Sequence, residues 1–292
     1  MTTVAAPAVK PRRSLDVTRP QRSVSRWATR IVLLIVVVLF VAPMLWLLLG
    51  SVHSDSALTV DFKGPFTFDN YHAVMNGPTL WTPLLNSLLL SGATSIITVF
   101  CASLAAYPLS RYQMRFRKPF LYTLIFSTGL PITAIMVPVY AMFAHFNITD
   151  SRIATILFMS ATSLPFAIWM TKNFMDGVPV SLEEAAWTDG AGWFQSLFRV
   201  VLPLMLPGLA VVAIFVFVQQ WGDFFIPFIL LLDPNKQPAS VSIYTFFSSY
   251  GEVAYGQLAA FSILYTLPIV FLYVVMSRFL GGAFSFAGGL KG

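Results

Sequence analysis

Residues 180–207 read VSLEEAAWTDGAGWFQSLFRVVLPLMLP, acidic and helix-patterned where the flanking chain is apolar. The first half carries its own start and stop. Ser181 is predicted to cap a helix, with Glu184 three residues on completing a capping box. Glu183 and Glu184 lie in the first turn, where the helix dipole favours negative charge. Ala185 and Ala186 are strong helix formers, and Gly190, after Asp189, is placed to end the helix in a left-handed turn. The expected helix, Leu182 to Thr188, has about two turns and is too short to stand alone in water. In the second half Trp193, Phe194, Leu197, Phe198 and Val201 form an apolar stripe, with Gln195, Ser196 and Arg199 off it. This half is expected to lie against membrane or bundle while the first half is held out toward a partner.

The chain around this stretch is that of an integral membrane protein. Of 292 residues, 57% are hydrophobic and only 10% charged, a composition outside the range of soluble domains. Ile31 to Leu49 is a run of 19 uncharged residues; at about 1.5 Å each it crosses roughly 30 Å of hydrocarbon. It is longer than a signal-peptide core and reads as a retained first span. Further spans are expected at Leu84–Leu109, Pro119–Ala144, Ile153–Thr171, Leu204–Leu232 and Val253–Ser277. The second is rich in Ser, Thr and Asn, which suits close helix packing within a bundle. The third holds Pro131 and Pro138 and the fourth Pro165, kinks that serve moving parts in some bundles and static ones in others. In the fifth, Asp223 falls near the outer surface, as an interfacial carboxylate or an ion or substrate ligand. Gly50–Pro83 reads as an exposed polar loop, and the chain after Arg278 as a short glycine-rich tail.

Lys and Arg positions orient these six spans. Counting the N-terminal tail as inside, the inner segments hold 15 of the 18 basic residues, and the outer loops hold Lys63, Arg152 and Lys236. Both termini are therefore expected in the cytoplasm, with residues 180–207 on the same face. Residues 1–30, with seven basic side chains and one acidic, Asp16, read as a disordered tail that sets this orientation. Residues 31–282 then form one membrane domain and 283–292 a second short cytoplasmic tail. The basic net charge is spent on orientation, and no nucleic-acid partner is expected.

Catalytic patterns are missing from the sequence. It has no Gly-Lys dipeptide and hence no phosphate-cradling loop, and no His-Glu pair with metalloprotease spacing. Its three histidines, His53, His72 and His145, fall in or beside outer loops and are expected to be solvated. The lone Cys101 sits in an apolar run and permits no intrachain disulfide. The chain is not expected to be an enzyme.

A family resemblance rests on the opening stretch. Glu184-Ala185-Ala186, three residues, Gly190, nine residues, Val200, one residue and Leu202-Pro203 resembles the EAA loop of ABC importer membrane subunits at every spacing, with Val200 for the usual Ile. An ordinary cytoplasmic hairpin with a good cap is the plainer alternative. Ala106–Tyr112 (AYPLSRY), Val137–Tyr140, Phe66–Tyr71 and Gln220–Pro227 (QWGDFFIP) are similar to carbohydrate ABC importer permeases, above all the smaller membrane subunit of the maltose type. Gly222 departs from that pattern, where Asn is common. The resemblance implies an all-α, six-helix, type I (MetI-like) permease fold. It implies a second related permease, two ABC ATPase subunits that bind ATP and Mg in place of this chain, and an extracytoplasmic solute-binding protein or lipoprotein. It implies an ATPase-coupling role for the motif residues Glu184, Ala185, Ala186, Gly190, Leu202 and Pro203, to which the cap and first-turn reading of the same helix adds Ser181, Glu183 and Asp189, and it carries over no sugar-binding residue. An ion-coupled secondary transporter acting as a dimer is the competing reading; it would need a coupling charge near the midplane.

Overall fold

The structure is a computed structural model that describes residues 22–54, 64–77, 79–247 and 253–288, with side chains from Trp27 to Arg278. Its helices run α1 (Arg22–Ser51), α2 (Asp69–Asn76), α3 (Trp81–Arg111), α4 (Arg117–Thr128), α5 (Ile132–His145), α6 (Arg152–Asp176), α7 (Val180–Thr188), α8 (Trp193–Ser196), α9 (Leu202–Leu204), α10 (Leu206–Trp221), α11 (Phe225–Leu230), α12 (Ala239–Ser242) and α13 (Tyr255–Gly288). A π turn, Leu197–Val201, joins α8 to α9. The protein is all-α: the described residues hold no strand, only isolated bridges between His53 and Phe66 and between Phe247 and Val253. They fall into two compact units, divided between Leu47 and Leu48.

Four helices, α1, α3, α6 and α13, are long and apolar enough to cross a membrane alone. Two bent pairs bring the number to six if each pair is one span: α4 with α5, at 90°, and Trp193–Leu204 with α10, at 80°. The third span is thus not a kinked helix. Pro131 disfavours helical backbone in the residue before it, and it serves as the N-cap from which α5 starts afresh. The fifth is interrupted too. Its helix α10 ends at Trp221, and beyond that break Asp223 accepts from the Ile226 N–H at 3.2 Å, in the first turn of α11.

In the second unit, α3 packs along α6 and α10. The hydroxyl-rich face of α3 turns inward as expected: Ser87, Ser91, Thr94, Ser95 and Thr98 are buried, small enough to let helix backbones approach. Ser95 Oγ donates to the Ala213 carbonyl at 2.7 Å, and Gln220 Nε2 to Ser163 Oγ at 2.7 Å, so hydrogen bonds cross this seam. At the far end Asn86 Nδ2 donates to the carbonyls of Asn235 and Gln237, which holds the 233–238 loop against α3.

The structure corrects several sequence expectations. Residues 22–30, read as part of a disordered tail, continue α1; past Pro20 nothing there breaks a helix, and extension satisfies the backbone of the first apolar turns. Residues 1–21 lie outside the described residues. The chain beyond Arg278 is likewise helical to Gly288, and residues 289–292 lie outside. The 50–83 segment is more than a loop. It contains α2, whose Val74 packs with Leu80, Phe246 and Phe261, while Asn70 Nδ2 donates to the carbonyls of Ser51 and His53. His53 is buried and lies 4.9 Å from the Phe66 ring, because the short bridge between their segments folds it under; His72 and His145 are exposed.

Candidate coupling site

Helix α7 begins two residues earlier than its sequence suggests, at Val180 in place of Leu182. Its N-cap is Pro179, with no side-chain cap; proline has no N–H to leave unsatisfied and its fixed φ suits this boundary. Ser181 is exposed within the first turn and caps nothing, so the predicted capping box does not form. The stop forms as read. Gly190 has φ +89, its N–H reaches the Trp187 carbonyl at 3.0 Å, and the Ala191 N–H reaches the Ala186 carbonyl at 2.9 Å. These two bonds are the Schellman pair that closes a helix C-terminus.

The two adjacent glutamates part company. Glu184 is exposed, with Ala185, Asp189 and Gly190 also exposed and Ala186 half-buried. Glu183 is fully buried, and it is the one buried residue of α7. Its carboxylate pairs through Oε1 with Arg111 Nε and accepts from Tyr107 Oη at 2.9 Å through Oε2. Arg111 also donates from Nη2 to the Val178 carbonyl at 3.0 Å. Ser110 Oγ donates to Asp176 Oδ1 at 2.6 Å, and Asp176 pairs in turn with Lys172. Arg111 and Tyr107 close α3, one helical turn apart, so both reach the same carboxylate from one face.

Below this polar knot lies an apolar junction. Tyr107 and Ala106 of α3 and Met175 and Val178 at the end of α6 pack with Leu197, Val201 and Met205. Leu197 and Val201, the docking half of the predicted stripe, are fully buried. Trp193 and Phe194, the other half, are 58% and 54% exposed, and Ser196, placed off the stripe, is buried. The reason is the π turn, which widens the helix at Leu197 and shifts the register of what precedes it. Leu202 is half-buried and packs on the junction, whereas Pro203 is exposed. Gly208 permits the closest approach: a Cβ there would lie 2.6 Å from Phe174 Cγ.

Sequence reasoning missed Tyr107, Arg111 and Asp176. Arg111 was legible as a charge ending an apolar run and within the AYPLSRY segment, but nothing local pairs it with Glu183. What the arrangement offers is a short helix pinned to the bundle by a carboxylate, with Leu182 (44% exposed), Glu184, Trp187 (39%), Trp193 and Phe194 outward. Apolar side chains around a free carboxylate on a protruding element mark a protein contact.

Residues 97–283 match the family described as binding-protein-dependent transport system inner membrane component. The diacetylchitobiose uptake system permease protein NgcG of Streptomyces coelicolor is 29% identical over 255 residues, covering 85% of this chain and 83% of that one. The trehalose/maltose transport system permease protein MalG of Thermococcus litoralis is 28% identical over 270 residues, 89% of this chain and 94% of its own. Among solved structures, a chain of a bacterial ABC transporter involved in the import of the acidic polysaccharide alginate superposes with a TM-score of 0.76 at 21% identity, covering 89% of this chain and 98% of that one; that likeness concerns the fold.

Proposed function

The chain belongs to the family of binding-protein-dependent transport system inner membrane components, and from that premise we propose that it is the permease subunit of an ATP-driven importer for a carbohydrate. It forms half of a translocation pathway with a second, related permease. Two ABC ATPase subunits bind ATP and Mg, and an extracytoplasmic solute-binding protein delivers the sugar. The named cargoes of its relatives, diacetylchitobiose and trehalose or maltose, support a sugar. The basic bias of the 111–118 connection supports a cytoplasmic location for α7 and for both termini.

One observation carries the reading: α7 protrudes with every side chain but Glu183 at least partly exposed, yet is capped by a Schellman turn and tied down by Arg111. Closure of an ATPase dimer must act on an element that is rigid, exposed and joined to membrane helices, and α7 meets these needs. Glu184, Ala185, Ala186 and Asp189 present its outward face, Gly190 ends it, and Leu202 and Pro203 lead back to the bundle. Ser181 contributes as an exposed first-turn residue, and Glu183 as the tie. Asp223, the sequence's candidate for ion coupling, is bonded instead to the backbone of the first turn of α11.

Thiol chemistry in a Cys101→Ser background tests this. Ala186→Cys should cross-link to the ATPase subunit in the assembled complex. Thr245→Cys should react with an impermeant reagent added outside intact cells and Ser110→Cys should not. Failure of every cysteine from Leu182 to Asp189 to reach an ATPase would remove α7 from the coupling role.

A further inference from the structure

Resting on the reading of α7 as the element an ATPase moves, we infer that its motion is delivered to the bundle sideways, through the buried Arg111–Glu183 pair into α3, and not along the chain into α10. Arg111, Tyr107 and Glu183 are then positioning residues of the transport cycle.

The covalent route is poorly suited to carrying a push. From α7 it passes Gly190, at φ +89 with nothing within 4 Å of its Cβ position, then Gly192, also unopposed. It continues through the single turn of α8, the π turn and the three residues of α9, and reaches α10 only across an 80° bend at Met205. Glycine, a π turn and a bend are each places where a helix yields.

The sideways route is short and directional. A helix that docks by apolar side chains can slide; α7 buries no apolar side chain fully, only the Glu183 carboxylate. Both oxygens of that carboxylate are held, one by Arg111 and one by Tyr107. A charged group fixed by two donors away from water has one low-energy position. Arg111 is the last residue of the 31-residue helix α3, and its Nη2 takes the Val178 carbonyl, in the short link between α6 and α7. The Ser110–Asp176 bond at 2.6 Å joins the ends of α3 and α6 beside it. Displacement of α7 therefore moves the ends of two helices that pack against each other along their length.

The test uses the complete complex in proteoliposomes and reads three quantities: complex assembled, ATP hydrolysed, and substrate transported per ATP. Glu183→Gln and Arg111→Met should keep basal ATP hydrolysis without substrate and the Ala186→Cys cross-link to the ATPase, while transport per ATP falls about tenfold, the scale of one lost charge-assisted hydrogen bond. Tyr107→Phe, which keeps the ring and the fold, should lower it about threefold, the scale of one hydroxyl hydrogen bond. A merely structural role would lower the amount of complex and leave this ratio untouched. Arg111→Cys with Glu183→Cys in the Cys101→Ser background should be uncoupled until a short bifunctional thiol reagent joins the pair, and then regain transport per ATP. An unchanged ratio in Tyr107→Phe and in the assembled charge variants overturns the inference, as does a double-cysteine protein that stays uncoupled after bridging. If the charge variants fail to assemble, Tyr107→Phe and the bridged protein decide. Loss of the Ala186→Cys cross-link in otherwise native protein would instead count against α7 as the ATPase contact.

Discussion

Ion pairs clamp a loop to the bundle at both ends of α6, and they differ in what surrounds them. Near its C-terminus Arg111 and Glu183 have side-chain exposures of 3% and 0%. Near its N-terminus Asp150 and Lys236 have 27% and 34%. Counted by hydrogen bonds the two are equal, since Arg111 Nη1 also donates to Ser110 Oγ at 3.3 Å. Asp150 also accepts from the N–H groups of Leu232 and Asp233 at 2.9 and 3.0 Å, and Lys236 Nζ donates to the Asp150 carbonyl at 3.0 Å. Yet water can replace what is lost there. At the inner pair it cannot, so a broken bond leaves a charge stranded in an apolar junction. The number of hydrogen bonds is the wrong measure of the two sites; access of water is the right one.

The largest expected effect breaks the inner pair. Glu183→Ala should destabilise the subunit by about 3–5 kcal/mol, as removal of one partner from a buried pair does, seen as a lower thermal unfolding midpoint in detergent. If the loss is under about 1 kcal/mol, the value usual for exposed pairs, the two ends do not differ as argued. Gly208→Ala asks how much of the inner joint is packing. The new Cβ meets Phe174, whose displacement should cost about 1–3 kcal/mol, in a variant where the ion pair is intact. Gly190→Val strains a left-handed residue by about 1–3 kcal/mol with no buried contact disturbed; the six spans should still insert while transport and substrate-stimulated ATP hydrolysis fall together.

The smallest effect belongs to the outer pair. Asp150→Asn should cost under about 1 kcal/mol at neutral pH. The Asp233 N–H first, then Lys236, hold the Asp150 carboxyl below its ordinary value of 3.8. A depressed folded pKa adds stability that is present above the ordinary value and lost as pH falls through the folded one. The gap between native and Asp150→Asn proteins should therefore stay level from neutral pH down to about 5, and close below the ordinary carboxylate range. A gap that widens on acidification would show that Asp150 is not held in its charged form.

Much of this protein was legible in short windows of sequence. Apolar runs located the crossings, because hydrocarbon thickness fixes their length. Gly190 announced its left-handed turn, because only local backbone sterics decide that conformation. The hydroxyl face of α3 was visible as small polar residues in an uncharged span. The breaks were harder to see: Pro131 suggested a kink, and whether a proline bends a helix or ends it depends on what the freed backbone finds to bond. The α7 cap went to Pro179 over a well-spaced Ser181 and Glu184 for a related reason, since the chain entering from α6 at Val178 is already held by Arg111.

The EAA spacing by itself determined the family, the helix and its stop. It did not determine which of two adjacent glutamates faces the bundle. That choice belongs to Arg111, 72 residues earlier in the chain, which reaches Glu183 only because α3 and α6 pack so that their ends converge. A buried charge needs its partner within hydrogen-bond distance, and no local pattern encodes a distance across the fold.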